Sequence, residues 1–152
     1  MKKILALALV LMIGIACFAS CAQVEQEIGK IVSVAAVEAA AEELSAQGVE
    51  YEVFDAAKLA ELQDEIAEAL AEEYETEMQG ELTAALSGEY TNESTGGWVA
   101  YNVYGFSAAA DADAMEKWAC DELADMIAEG KALVVNGGYI VSITVSSTAI
   151  EQ

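Results

Sequence analysis

Arginine, histidine and proline are absent from this 152-residue chain, and its six basic residues are all Lys. Without His there is no imidazole base, no Ser-His-Asp or Cys-His relay and no histidine metal ligand. Without Arg there is no bidentate phosphate clamp. Six lysines against 27 Asp and Glu leave a formal charge of −21. Such a polyanion repels nucleic acid, whose binding needs clustered basic residues, so nucleic acid is excluded as a partner. Cysteine is scarce as well, at Cys17, Cys21 and Cys120.

The first 21 residues differ from the rest. Met1-Lys2-Lys3 precedes an apolar run from Ile4 to Ala19, interrupted at Gly14, and then come Ser20 and Cys21. A basic start, a short apolar stretch and small residues before a cut describe a secretory signal. The segment Phe18-Ala19-Ser20-Cys21 resembles the lipobox of bacterial lipoproteins, with Phe18 where Leu, Val or Ile is commoner. That resemblance implies a signal peptide over residues 1–20, cleavage before Cys21 and a lipid on its thiol. The implied location is lipid-anchored, on the extracytoplasmic face of the cell membrane. Two other readings stay open: a plain secretory cut, or an uncleaved span from Ile4 to Val24, since ~20 apolar residues cross a bilayer. Cleavage before Cys21 leaves 4 lysines against the same 27 acids, a charge of −23. With Cys21 acylated, Cys120 is the remaining thiol, so an apolar core and not a disulfide must hold the domain.

Residues 21–48 read as an N-terminal helix, either a stalk or packed on the domain, closed by Gly48 in a left-handed stop. Residues 49–152 read as a small acidic domain. Val49 to Phe54 alternates as a strand with one buried face. Asp55 is placed to cap the next helix, whose stripe is Leu59, Leu62, Ile66, Leu70 and Tyr74, with Gly80 as its end. A weaker strand over Leu82–Leu86, a polar loop over Thr91–Gly97 and an aromatic strand over Trp98–Phe106 follow. That last strand is apolar on both sides, as a central strand or a surface groove requires. A second long helix spans Ala108–Glu129 and stops at Gly130. Asn136-Gly137 between apolar runs marks a hairpin. One of its faces, Ser142, Thr144 and Ser146, is polar and expected to be half solvated. The predicted fold is α+β: an antiparallel sheet with two helices on one face, resembling a split β-α-β (ferredoxin-like) layout, plus an N-terminal helix and an extra C-terminal hairpin strand.

Chemistry is hard to find in this pattern. Asp111, Asp113 and Glu116 invite a calcium reading, but Met115 and Glu116 stand where an EF-hand loop needs an oxygen ligand and a glycine. Acids at a helix start meet the positive end of its dipole, and Asp113 with Glu116 has capping-box spacing. Among so many acids some pair always lies at glycosidase separation, but none has a visible apolar setting that would raise its pKa. Cys120 is followed by Asp121 and Glu122, which disfavour a thiolate. Asn92-Glu93-Ser94 marks an exposed loop. Trp98, Tyr101, Tyr104, Phe106 and Trp118 form either a core or an exposed strip for a sugar or peptide.

The sequence therefore reads as a membrane-anchored lipoprotein, with Cys21 as lipid attachment and no catalytic, cofactor-binding or metal residues. Its expected role is non-enzymatic: a binding or protein-interaction module whose partner has a basic surface. A small-ligand or divalent-cation binder is the alternative, and a carboxylate-dependent hydrolase a distant one.

Overall fold

A computed structural model describes residues 22–150. The leader and lipobox, with Cys17 and Cys21, lie outside the described residues. The chain opens with α1 (Ala22–Ala46), then β1 (Glu50–Val53), α2 (Ala56–Tyr74), β2 (Leu82–Asn92), β3 (Gly97–Phe106), α3 (Ala109–Glu122), α4 (Ala124–Ala128), β4 (Ala132–Asn136) and β5 (Ile140–Ser146). The strands form one antiparallel five-stranded sheet in the order β1-β2-β3-β5-β4. The α+β class and the helices packed on an antiparallel sheet are as the sequence predicts.

Both faces of the sheet are covered, so the centre is a helix–sheet–helix sandwich. On one face, α2 and α3 bury Ile66, Leu70, Ala112, Met115 and Ala119 against Leu82, Phe106, Val141 and Ile143. On the other, α1 buries Val37, Ala40 and Leu44 against Ala84, Leu86 and Val103. α1 is therefore a packed helix over its described length and not a free stalk. β3 feeds both cores, because Val103 faces α1 while Tyr104 and Phe106 face α2 and α3. Its two-sided apolar pattern is that of a central strand, and Phe106 is fully buried at 0 % exposure.

α1 approaches the sheet closely through small residues. A Cβ built on Gly105 of β3 would lie 2.7 Å from the Ser33 Cβ of α1. Glycine is required there by proximity rather than by φ. Ser33 Oγ contacts Thr83 Oγ1, and Thr83 Oγ1 donates to the Gly105 carbonyl at 3.0 Å. The buried hydroxyls of this seam are thus satisfied within it.

The strand order departs from a split β-α-β arrangement, in which another strand would stand between the strands flanking a helix. Here β1 and β2 are antiparallel neighbours. The cause lies after α2. The helix ends at Tyr74, with Glu75 in the left-handed region (φ 51°), and not at Gly80. Residues 75–81 then double back along it. Tyr74 stands opposite Asp121 near the end of α3, whereas Gly80 stands opposite Asp111 near its start. Leu82 N–H bonds to Gln63 Oε1 at 2.8 Å, so β2 starts beside the middle of α2. The return reverses the chain and sets β2 antiparallel to β1.

Other local expectations hold or shift for identifiable reasons. Asp55 caps α2, its carboxylate accepting the Lys58 N–H at 3.0 Å. Gly48 and Gly130 adopt φ of 70° and 71° and stop their helices. The second long helix is not continuous: Leu123 leaves helical geometry and separates α3 from α4, and Ile127 is exposed. All four residues of β1, at one edge of the sheet, are exposed, so it lacks the buried face the sequence predicts. In the hairpin, positive φ falls on Gly138 (98°), whose N–H bonds to Asn136 Oδ1. Thr144 and Ser146 are each only 4 % exposed, not half solvated. The register places Thr144 between Tyr101 of β3 and Leu133 of β4, because β5 is internal and β4 is the edge.

Candidate functional site

The acids singled out at the start of α3 have structural partners. Asp111 is 2 % exposed, and its two oxygens accept the backbone N–H groups of Gln79 and Gly80 at 2.8 Å each. It pins the return segment to α3. Asp113 and Glu116 do not form a capping box. Ala108 is the N-cap without a side-chain bond. Both carboxylates instead accept from Asn136 Nδ2, at 2.8 Å each, tying α3 to β4. Among the described residues, no group of three or more Cys, Asp or Glu is placed to hold a metal ion.

Cys120 is half-buried. Burial raises its thiol pKa, and Glu116 and Asp121 push it further up. Asn92 Oδ1 accepts both the N–H (3.0 Å) and the hydroxyl (2.6 Å) of Ser94, which makes the exposed loop an Asx turn. Of the five aromatic residues singled out, Phe106 is core, Tyr101 and Tyr104 are half-buried, and Trp98 is 38 % exposed.

The remaining aromatic residue, Trp118, lines a cleft. The space between α2 and α3 is about 190 Å³, bounded by Leu62, Glu65, Ile66, Ala69 and Leu70 of α2, Met115 and Trp118 of α3, and Tyr104 of β3 as floor. Helical spacing explains the α2 wall, since positions 62, 66 and 69 or 70 stack along one stripe. Ala69 removes side-chain bulk at that stripe. Glu65 is the one charged group of the lining.

Two other residues of the lining carry a polar group. The Trp118 indole N–H is buried and finds no acceptor among the described residues. Buried indole donors are usually paired, so this one is an unmet hydrogen-bonding capacity. Tyr104 carries a phenol whose pKa burial raises further above its ordinary value. The residues come from separate segments, and no spacing in the sequence announces that they converge.

At one end the cleft walls are clamped together. Tyr74 at the end of α2 donates to Asp121 of α3 at 2.7 Å, and Lys117 reaches the same carboxylate at 2.9 Å. Lys117 Nζ also lies 3.9 Å from the centre of the Tyr74 ring, a cation–π contact. The hydrogen bond to Asp121 pushes the Tyr74 phenol up to about 12. Lys117 first, and then Tyr74, hold Asp121 below the usual carboxylate range.

Outside the cleft, α2 is strongly acidic. Glu61, Asp64, Glu68, Glu72 and Glu73 are exposed along it, as is Glu65 of the lining, with Lys58 as its one basic residue. No described helix is long and apolar enough to cross a membrane. No family model, curated protein or solved structure matches this chain.

Proposed function

We propose that this chain is a bacterial lipoprotein, anchored through Cys21 on the extracytoplasmic face of the membrane, and that its domain is a non-enzymatic binding module. Its partner is a protein with a basic surface, and the α2/α3 cleft seats one large apolar side chain of that partner. The resemblance at Phe18-Ala19-Ser20-Cys21 supports the anchor. The observation that carries the binding reading is the apolar cleft set in an acidic helix pair. Interface energy concentrates where an apolar or aromatic anchor enters a desolvated pocket. A dry cavity of ~150 Å³ takes a benzene ring, so a cleft of about 190 Å³ suits one aromatic or branched aliphatic side chain. The acids of α2 attract basic groups at long range and orient the encounter.

A second reading rests on the same apolar lining. A small neutral or cationic ligand with an apolar ring would fill the same cleft against Leu62, Ala69 and Tyr104. The acids oppose an anionic ligand such as a fatty acid.

Calorimetry on the full-length protein with a Lys-rich peptide bearing one central Trp, and with its Ala counterpart, tests the first reading. The Trp peptide should bind at least about tenfold more tightly, a gain of the size an anchor side chain supplies. Ala69→Phe, which fills the cleft, should remove that difference. Equal binding of the two peptides to the wild type counts against the cleft. Saturable phenol binding that Ala69→Phe abolishes would favour the small-ligand reading. For the anchor, blocking lipoprotein signal peptidase should shift the precursor in size, and a Cys21→Ala protein that stays on the membrane counts against lipid attachment.

A further inference from the structure

The two edges of the sheet are guarded unequally. β1 presents Glu50 and Glu52, and charged residues discourage a foreign strand from pairing there. β4 at the other edge is Ala132-Leu133-Val134-Val135-Asn136, with no charge, proline or bulge. The neutrality extends further, since no residue from Ala132 to Ile150 is charged in a chain with 27 acids.

The β4–β5 ladder fixes which backbone groups point away from β5. Gly137 N–H bonds to the Ile140 carbonyl, and Ser146 N–H to the Lys131 carbonyl, at 2.8 Å each. Hydrogen-bonded pairs alternate along an antiparallel ladder. With Leu133 opposite Thr144 and Val135 opposite Ser142, residues 131, 133, 135 and 137 turn their backbone groups towards β5. Ala132, Val134 and Asn136 turn theirs outward, where no described strand follows. Side chains alternate with them. Val134 packs towards the α2/α3 core. Leu133 and Val135 lie half-buried on the α1 face, and α1 itself lies over β1, β2 and β3.

We propose that a second copy of this chain pairs along this edge, β4 to β4 antiparallel, about a two-fold axis at Val134. The open groups are symmetric about that residue. Val134 meets Val134 of the other copy, and Ala132 meets Asn136, each pair exchanging both its backbone bonds. Between them, Leu133 of each copy faces Val135 of the other in a non-hydrogen-bonded pair, where side chains approach most closely. The contact is isologous, so it closes at a dimer. The strands that meet are uncharged, and the carboxylates beside the edge, Asp113 and Glu116, are both bound by Asn136 Nδ2. A two-fold perpendicular to the sheet keeps α1 of both copies on the same side, so two chains held by their N-termini pair without either turning over. The ladder is short, which makes the pairing reversible, and confinement to a membrane raises its occupancy.

This surface is independent of the α2/α3 cleft, and salt separates the two. Dimerisation of a polyanion is opposed by its net charge, so raising ionic strength strengthens it, whereas binding of a basic peptide weakens. The test is sedimentation of the full-length protein in mild detergent, at low and high salt. Wild type should dimerise below about 0.1 mM, more tightly at high salt, as a small transient interface with favourable complementarity does. Val135→Glu sets an acid against each apolar neighbour and should weaken the dimer at least about tenfold. Leu133→Lys combined with Val135→Glu places opposite charges across the axis and should recover most of that loss. The mirrored pair, Leu133→Glu with Val135→Lys, should do the same, and each variant is scored on chains whose circular dichroism matches wild type. A wild type that stays monomeric at about 0.1 mM, a dimer indifferent to Val135→Glu, or two folded charge pairs that both fail to recover it overturns the proposal.

Discussion

Asp111 Oδ2 accepts the backbone N–H of Gly80 across 2.8 Å, joining residues 31 positions apart. Its other oxygen takes Gln79 N–H. These contacts hold residues 75–81 in the reversed path that sets the strand order. Removing the carboxylate strands two backbone donors in a buried site, and each stranded donor costs ~1–3 kcal/mol. Asp111→Ala should lower unfolding free energy by about 3 kcal/mol in urea titration. Asp111→Asn, which retains one acceptor, should lose less. A midpoint unchanged by Asp111→Ala would mean that the return segment is held elsewhere.

Gly105 and Ser33 set how closely α1 approaches the sheet. Adding a Cβ at Gly105 meets the Ser33 Cβ and backbone, which cannot swing away as a flexible side-chain tip can. Gly105→Ala should destabilise the domain by about 2 kcal/mol, the ordinary cost of overpacking. At Gly97 the nearest atom to an added Cβ is Thr95 Oγ1, 3.3 Å away at an exposed loop. Gly97→Ala should stay within ~0.5 kcal/mol. Thermal unfolding of the two variants side by side gives the comparison.

The Tyr74–Asp121 bond makes the α2/α3 clamp pH-dependent from both sides. Asp121 has a lowered pKa in the folded state. Its stabilisation is therefore present above the ordinary carboxylate pKa and is lost as pH falls through the lowered value. Tyr74 has a raised pKa, about 12. Its share is present in full below the ordinary phenol pKa and is lost as pH climbs from there through about 12. The melting-temperature difference between wild type and Tyr74→Phe should be flat from about pH 5 to about pH 9 and shrink beyond both ends. A difference that grows in acid would contradict the assignment.

Cys120 should be a sluggish nucleophile. Burial and then Glu116 and Asp121 raise its pKa, leaving little thiolate at neutral pH. Alkylation by iodoacetamide near neutral pH should run at least about fivefold slower than for an unperturbed thiol, and Glu116→Gln should speed it. A rate at or above that of free cysteine would place an unrecognised cation beside the sulphur.

Much of the fold is written in short-range pattern. The stripe Leu59-Leu62-Ile66-Leu70, the Asp55 cap, the stops at Gly48 and Gly130 and the two-sided strand ending at Phe106 each depend on neighbours within a few residues. Periodicity records such neighbours directly. The aspartate at 111 was legible as a helix-start acid, but its burial was not, because its partners are the backbone of Gln79 and Gly80. The cleft was illegible for the same reason: Ala69, Tyr104 and Trp118 sit in ordinary apolar positions of three different elements.

By itself the sequence determined the α+β class, the placement of most helices and strands, the polyanionic surface and the neutrality of the last two strands. Those are properties of composition and local period, which the chain carries before it folds. Tertiary structure alone decided that β5 lies inside β4, that α1 covers the face opposite α2 and α3, and that Ala69, Tyr104 and Trp118 converge on one apolar cleft. Each depends on where the chain reverses, and the reversal is fixed by contacts between segments far apart in sequence, which no local pattern encodes.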